Sequence, residues 1–204
     1  MRLIRRLAGA LAAIALAAGL TLAGTGTARA DVIPPVGQWA EIFSPYLHAQ
    51  GFSLCADDPS GSTSSGTPLQ LYHCHGYASN GAPQRWVFIQ PEDNNGNPIY
   101  DSNGASVYEI YNIAGGLCLT APNLAVGTQL TLGTCNRATA TGQIWWELPG
   151  VGSPAGPYFQ IFPWPVDFTY NRCVSASNFT RNNGTRLVME PCDPNDTSRI
   201  FALG

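Results

Sequence analysis

Residues 57–86 hold most of the side chains whose types and spacing could perform chemistry. The run His73-Cys74-His75 offers metal ligands, and the pair Asp57-Asp58 offers two carboxylates of the kind that glycosidases use. Neighbouring strand residues point to opposite faces, so the two histidines share a face only with each other, whereas structural zinc needs four convergent ligands. Adjacent carboxyl groups also diverge, whereas a glycosidase pair faces across a sugar at roughly 5 to 9.5 Å. We therefore expect no metal, no cofactor and no enzymatic activity.

The first thirty residues have the features of a secretory signal peptide. A basic head (Met1–Arg6) precedes an Ala/Leu-rich run, and Ala28-Arg29-Ala30 supplies a small-residue cleavage point. The alternative, a membrane anchor, is disfavoured because the run is short and interrupted by Gly and Thr. We expect residues 1–30 to be removed and the mature chain, beginning at Asp31, to be secreted and extracellular without inserting into a membrane.

The mature chain is acidic and rich in cysteine. It has six arginines, no lysine and thirteen acidic residues, a formal charge of −7 with histidine neutral. Such a surface repels phosphate backbones, so nucleic acid is not an expected partner. Its 174 residues suit one domain, which we expect to be monomeric. All six cysteines lie in this part, and secretion makes disulfides the default, although six cysteines allow fifteen pairings.

Three segments of the mature chain repeat one pattern. "GTPLQLYHC" (66–74), "GTQLTLGTC" (127–135) and "GTRLVMEPC" (184–192) each read G-T-x-L-x-[LM]-x-x-C. Each follows another cysteine by a similar distance, and each precedes a related triplet: "QRW", "QIW" or "RIF". Short alternating apolar segments separated by Gly, Pro, Asn and Ser predict strands and turns rather than helices. We predict an all-β fold of about twelve short strands, in which a lead (31–39) precedes repeats at about 40–90, 107–149 and 157–204.

This pattern resembles the ricin-type lectin family, which has a Q-x-W signature and a β-trefoil fold. The passages "VYEIYNIAGGLCLTAP" and "GQIWWEL" of the second repeat carry it most closely, and the resemblance covers about residues 40–204. It implies that Trp86, Trp145 and Phe201 fill the central core, although "RIF" replaces Q-x-W in the third repeat. It also implies that the cysteines pair within repeats, as Cys55–Cys74, Cys118–Cys135 and Cys173–Cys192.

Strand alternation predicts which side chains of the Gly-Thr segments face the core. The predicted core residues are the apolar pairs of one parity: Leu69 and Leu71, Leu130 and Leu132, Leu187 and Met189. The predicted outward residues are the pairs of the other parity: Gln70 and Tyr72, Thr131 and Gly133, Val188 and Glu190. The first repeat is the copy that offers an amide followed by an aromatic on its outward face.

The resemblance also implies a sugar site in the first repeat. In the family, a carboxylate two residues after the first cysteine accepts hydrogen bonds from the sugar, and an aromatic two residues before the second cysteine stacks on the sugar ring. The first repeat keeps both, as Asp57 and Tyr72, which we expect to face solvent. Gln70 and Gln84 match the supporting positions, and His75 lies where the family often places a further polar contact.

The other two repeats lack this combination. The second repeat has Thr120 in place of the carboxylate, and the third repeat has Ser175. We therefore expect both repeats to be structural. The first repeat also departs from the family at Pro83, where an asparagine often precedes the Q-x-W glutamine; Asn80, in the loop before it, is the candidate substitute.

The expected function is carbohydrate binding, with a galactoside or a polysaccharide as ligand and the first repeat as the main site. The alternative is a trefoil scaffold that binds a protein, or inhibits a protease, through the long loops "PEDNNGNPIYDSNG" (91–104) and "NFTRNNGTR" (178–186). As a carbohydrate-binding protein, the chain could act alone or could direct an unseen protein partner to a polysaccharide.

Overall fold

The computed structural model describes residues 38–76, 82–101, 104, 106–136, 142–149, 159–163, 171–180, 182–193, 196–199 and 201–203. Four 3₁₀ turns lie in these ranges, at Pro59–Gly61, Ala82–Gln84, Ser177–Phe179 and Thr197–Arg199. The other regular elements of the described residues are β1 (Trp39–Ala40), β2 (Ile42–Phe43), α1 (Pro45–Ala49), β3 (Leu54–Asp57), β4 (Gln70–His73), β5 (Trp86–Ile89), β6 (Tyr108–Asn112), β7 (Leu117–Thr120), β8 (Thr131–Gly133), β9 (Ile144–Pro149), β10 (Phe159–Pro163), β11 (Arg172–Ala176), β12 (Thr185–Pro191) and β13 (Ala202–Leu203).

The strands form the predicted β-trefoil. In each repeat the second and third strands make an antiparallel hairpin: β3 with β4, β7 with β8 and β11 with β12. The first strand of each repeat pairs with the last strand of the preceding repeat, as β6 does with β5, β10 with β9 and β2 with β13. Three four-strand units therefore close on one another, which buries apolar faces that no unit could bury alone.

The first strand of the first repeat is split in two. In the second repeat, β6 pairs with both β5 of the preceding repeat and β9 of its own repeat. In the first repeat these two pairings are divided, because β1 pairs with β5 of its own repeat and β2 pairs with β13 of the third. Counted as one strand, β1 and β2 bring the described strands to the expected three sets of four.

The three Gly-Thr segments meet in a closed ring of hydrogen bonds. The backbone N–H of Leu69 donates to the carbonyl of Leu130, Leu130 donates to Leu187, and Leu187 donates back to Leu69. At the centre, Nε2 of Gln129 lies 2.7 Å, 3.1 Å and 2.9 Å from the carbonyl oxygens of Leu69, Leu130 and Leu187. We call these four residues the axial ring. One amide of the second repeat thus ties equivalent positions of all three repeats together.

The core is the one that the repeat pattern predicts. Trp86, Trp145 and Phe201 are each 1% exposed, and all six apolar residues of the predicted core parity are buried. Each indole also finds an acceptor, since Trp86 donates to the carbonyl of Ala56 and Trp145 to that of Leu119. A buried indole needs such a partner, so the Q-x-W tryptophans fill the core and fix the neighbouring second strand of their own repeat.

The three disulfides are Cys55–Cys74, Cys118–Cys135 and Cys173–Cys192, as the family resemblance implies. Each closes a short loop within one repeat, which stabilises the fold by roughly 3 kcal/mol in the chain-entropy model. The described residues contain no free cysteine.

The structure differs from the sequence-based expectations in one element and in the burial of three residues, Val188, Gly133 and Asp57. Residues 45–49 form a one-turn helix, because the Ser44 hydroxyl caps it and Pro45 suits a first helical turn. Val188, predicted to face outward, is 5% exposed because Gln129 of the second repeat bridges to it. Gly133 is also buried, beneath Thr120 and Gln143.

The predicted signal peptide (1–30) lies outside the described residues, as does the lead up to residue 37. Within the described ranges no helix is long and apolar enough to cross a membrane.

Candidate functional site

A pocket of about 510 Å³ opens on the first repeat. It lies between the end of β3, the outward face of β4 and the two 3₁₀ turns at 59–61 and 82–84. Four of the five residues expected to bind carbohydrate line it. The described lining residues are Asp57, Pro59, Ser60, Gln70, Tyr72, His75 and Pro83.

Asp57 forms the floor of the pocket. It is the last residue of β3 and is paired in register with Gln70 of β4, whose Nε2 donates to Asp57 Oδ2 at 2.8 Å. Gln84 Nε2 lies 3.2 Å from the other oxygen, Oδ1. The expectation that Asp57 faces solvent is wrong, because these contacts hold the carboxylate at 4% exposure. Each carboxylate oxygen has two lone-pair directions, so one acceptor direction on each remains for a ligand.

Gln84 is a positioning residue beneath the pocket. Its Nε2 donates to the carbonyl of His73 as well as to Asp57, and its Oε1 accepts the backbone N–H of His75. Its side chain is fully buried and does not line the pocket. The first residue of Q-x-W therefore joins the 3₁₀ turn, the end of β4 and the carboxylate in one network.

Tyr72 and His75 form an aromatic wall beside Asp57. Tyr72 lies on the outward face of β4 and is half-buried, whereas His75 is exposed. Their rings meet edge to face, with centroids 5.8 Å apart. This contact restrains Tyr72 and leaves an apolar ring surface next to a polar floor.

Sequence reasoning missed the opposite wall of the pocket. Pro59 and Ser60 lie in the turn after β3, and Pro83 lies in the turn before β5. Ser60 has φ of 62°, and Asn178 at the equivalent place in the third repeat has φ of 53°, so this left-handed conformation belongs to the turn of the repeat and does not by itself mark the pocket. The run Asp58-Pro59-Ser60-Gly61 is a recognisable turn signal, but turn chemistry alone does not tell which cleft it borders. Asn80, the candidate substitute for the family asparagine, lies outside the described residues.

Asp58 points away from the pocket into the protein. It is 0% exposed; its Oδ1 accepts the backbone N–H of Ser62, and its Oδ2 has no described hydrogen-bond partner. Burial raises the pKa of Asp58 to about 6; the Ser62 hydrogen bond opposes this rise and the nearby charge of Asp57 adds to it. The two adjacent carboxyls thus diverge, as strand geometry predicts.

The second repeat keeps the glutamine network without the carboxylate. Gln143 Nε2 donates to Thr120 Oγ1 and to the carbonyl of Thr134, and its Oε1 accepts the N–H of Asn136. At Gly133, where the first repeat has Tyr72, an added Cβ would lie 2.5 Å from Thr120 Oγ1. Close packing therefore occupies the space that is a pocket in the first repeat.

In the third repeat, two buried serines lie at the place that corresponds to the floor of the first-repeat pocket. The hydroxyl of Ser175, at the carboxylate position, contacts that of Ser198 at 3.2 Å, and both residues are buried. Arg199 stands where the other repeats have glutamine and forms a 2.9 Å ion pair with Asp196. No carboxylate is presented at the equivalent position.

Among the described residues, neither His73 nor His75 belongs to a group of three or more potential metal ligands that converge. Cys74 is in a disulfide, and the one group of potential ligands that converges in this part of the chain is Glu41 with Cys55 and Cys74. Disulfide sulfurs are not thiolates, so two of those three atoms are poor ligands.

Comparison of the whole structure with solved structures places it among β-trefoils. The chain matches no protein-family model and no curated protein sequence. A designed protein with threefold symmetry, ThreeFoil, shares 14% identity with a TM-score of 0.58, covering 81% of this chain and 96% of that one. A ricin B-like lectin of Macrolepiota procera in complex with lactose shares 14% identity with a TM-score of 0.57, covering 83% and 96%. The C-half of an earthworm R-type lectin in complex with GalNAc shares 10% identity with a TM-score of 0.54, covering 81% and 97%.

Proposed function

We propose that the protein is a secreted carbohydrate-binding protein whose first-repeat pocket holds a galactose-type sugar, free or within a polysaccharide. The observation that carries the proposal is the buried carboxylate of Asp57, fixed by amides of Gln70 and Gln84 at the floor of an aromatic-walled pocket. A carboxylate so restrained does not need to reorganise when a ligand arrives.

The floor suits vicinal hydroxyl groups. Oδ1 and Oδ2 each keep an acceptor direction, so two neighbouring sugar hydroxyls can each donate to one oxygen. Hydrogen bonds to an ionised acceptor are shorter and stronger than neutral ones. The two glutamine amides hold the carboxylate plane in one orientation, and that plane in turn fixes the orientation of the sugar ring.

The wall suits the apolar face of a sugar. Tyr72 offers a flat, electron-rich ring to the C–H face of a pyranose, and its contact with His75 limits the entropy lost on binding. One shallow site of this kind should bind a simple sugar with a Kd of roughly 0.1–1 mM, or about 4 to 5.5 kcal/mol.

The number of carboxylates in the pocket favours a binding role over hydrolysis of the sugar. Among the described lining residues Asp57 is the one carboxylate, whereas glycoside hydrolysis by the usual routes needs two that face across the bond. The lactose and GalNAc complexes of the two lectins with the same fold are consistent with a saccharide ligand.

Affinity retention tests the proposal. The wild type should be retained on a galactoside or polysaccharide matrix, and Asp57→Asn and Tyr72→Ala should each abolish retention. Asp57→Asn should also destabilise the fold by about 1 kcal/mol. The side-chain amide has only one acceptor oxygen, so one of the two glutamine N–H donors would lose its acceptor. Folding of both variants is checked by circular dichroism.

Matched controls come from the other two repeats. Thr120→Ala and Glu190→Ala change the equivalent or neighbouring positions there and should leave retention intact. Retention that survives in Asp57→Asn would refute the first-repeat site. A wild type that binds no glycan on a broad array, but captures a protease or another protein, would support the interaction-scaffold alternative instead.

A further inference from the structure

A row of three polar side chains crosses the sheet at the pocket. Asp57 of β3 is paired with Gln70 of β4, and Gln70 is paired on its other side with Arg186 of β12. Residues directly opposite in antiparallel strands place their side chains on the same face. The third repeat therefore presents a guanidinium beside the carboxylate and amide of the first repeat, two strand spacings or about 10 Å from Asp57.

Arg186 differs from the other described arginines in being unengaged. Arg186 is exposed, and its guanidinium makes no hydrogen bond or ion pair with any described residue. Arg85 lies over the Trp39 ring at 4.4 Å, Arg172 donates to the carbonyl of Leu124, and Arg199 is paired with Asp196. The one described arginine without an internal role is thus the one next to the pocket.

One glycine leaves room beside Gln70, the middle residue of the row. Gly184, two residues before Arg186, has no side chain, and a Cβ added there would meet Gln70 Oε1 at 3.7 Å and nothing closer. No side chain at position 184 therefore packs against Gln70, the residue that lies between Asp57 and Arg186 in the row.

We propose that the site prefers an anionic saccharide, in which the ring next to the one held by Asp57 carries a carboxylate or sulfate that Arg186 binds. This rests on the proposed sugar site. A guanidinium matches carboxylate and sulfate oxygens in a bidentate geometry, and it is always charged. In a mature chain of charge −7, an acidic ligand would be repelled unless a local cation compensates, and Arg186 supplies one at this face.

The test measures charge preference at constant ring structure. Isothermal titration compares a disaccharide of galactose and galacturonic acid, its methyl ester, which has the same rings without the charge, and a sulfated galactan. The wild type should bind the acid or the sulfated form about tenfold more tightly than the ester at low salt, and the preference should shrink at high salt. Arg186→Gln should remove the preference and leave affinity for the ester unchanged.

Arg172→Gln is the matched control, because it removes the same charge at a position away from the pocket and should keep the preference. If the wild type binds neither the acid nor the sulfated form more tightly than the ester, the anionic preference is overturned while the sugar site stands. The assignment of Arg186 as the anion-binding group is also overturned if Arg172→Gln loses the ligand selectivity as fully as Arg186→Gln does. Net charge would then be the cause of the selectivity. If Asp57→Asn binds all ligands as well as the wild type, the sugar site itself is overturned. Preference for the sulfated ligand alone identifies sulfate as the anion, and preference for the acid alone identifies carboxylate.

Discussion

Replacing Asp58 by asparagine should flatten the pH dependence of the protein's stability. Asp58 is fully buried, and its Oδ2 has no described hydrogen-bond partner. Its folded-state pKa is therefore about 6, raised from an ordinary value of 3.8. Because the folded pKa is the higher one, this group stabilises the folded state fully below about pH 3.8, and that contribution is lost as pH rises through 6.

The size of the effect follows from the shift. A pKa change of about two units corresponds to about 3 kcal/mol, and structural relaxation and water penetration reduce such penalties in real proteins. The free energy of unfolding of Asp58→Asn minus that of the wild type should therefore increase by about 1–3 kcal/mol from about pH 4 to about pH 8. Any change in the variant's stability that comes from burying the new amide is equal at every pH, because the amide does not titrate. The increase from about pH 4 to about pH 8 is therefore unaffected.

Urea denaturation at intervals of about one pH unit between pH 4 and pH 8 measures the effect. Glu92→Gln is the matched control, since it removes an exposed carboxyl and reports any pH effect that has nothing to do with burial. A stability difference between Asp58→Asn and wild type that is equal at the two ends of this range, or that falls with pH, would contradict the assignment of a destabilising buried charge to Asp58.

Two substitutions and one sequencing experiment test the axial ring, the glutamine network and the predicted signal peptide. Gln129→Ala removes the amide that donates to three carbonyls of the axial ring and should lower the free energy of unfolding by about 1–3 kcal/mol in urea titrations. Gln84→Met keeps the volume but removes the contacts to Asp57, His73 and His75, so it should lower both thermal stability and galactoside retention. Protein from the culture medium should begin at Asp31 on N-terminal sequencing, and recovery of the uncleaved chain in membranes would favour an anchor.

The fold could be predicted from the sequence because its signals recur. Three in-phase copies of G-T-x-L-x-[LM]-x-x-C and of Q-x-W or its variant indicate the number of repeats and the core parity, and the family resemblance that they carry implies the disulfide pattern. Recurrence also places Trp86, Trp145 and Phe201 in one core. The helix α1 is not predicted, because a serine cap and one proline are weak signals within a strand-rich pattern.

What could not be predicted depends on contacts between repeats. Strand alternation gives the face of a residue but not what covers that face, so Val188 is buried beneath Gln129 although its parity is outward. The same reason explains Asp57, which faces the pocket side but is enclosed by Gln70 and Gln84. Arg186 is far from Asp57 in the chain, and only strand pairing across the repeats brings the two into one row.

A sugar titration followed by NMR tests the central claim most directly. When ¹⁵N-labelled protein is titrated with galactose, the largest amide shift changes should fall on Asp57, Ser60, Gln70 and Tyr72, and should saturate with one Kd of roughly 0.1–1 mM. Residues around Thr120 and Ser175, in the other two repeats, should not respond. Shifts centred on either of those repeats, or none at galactose concentrations far above about 1 mM, would contradict a sugar site built on the Asp57 carboxylate.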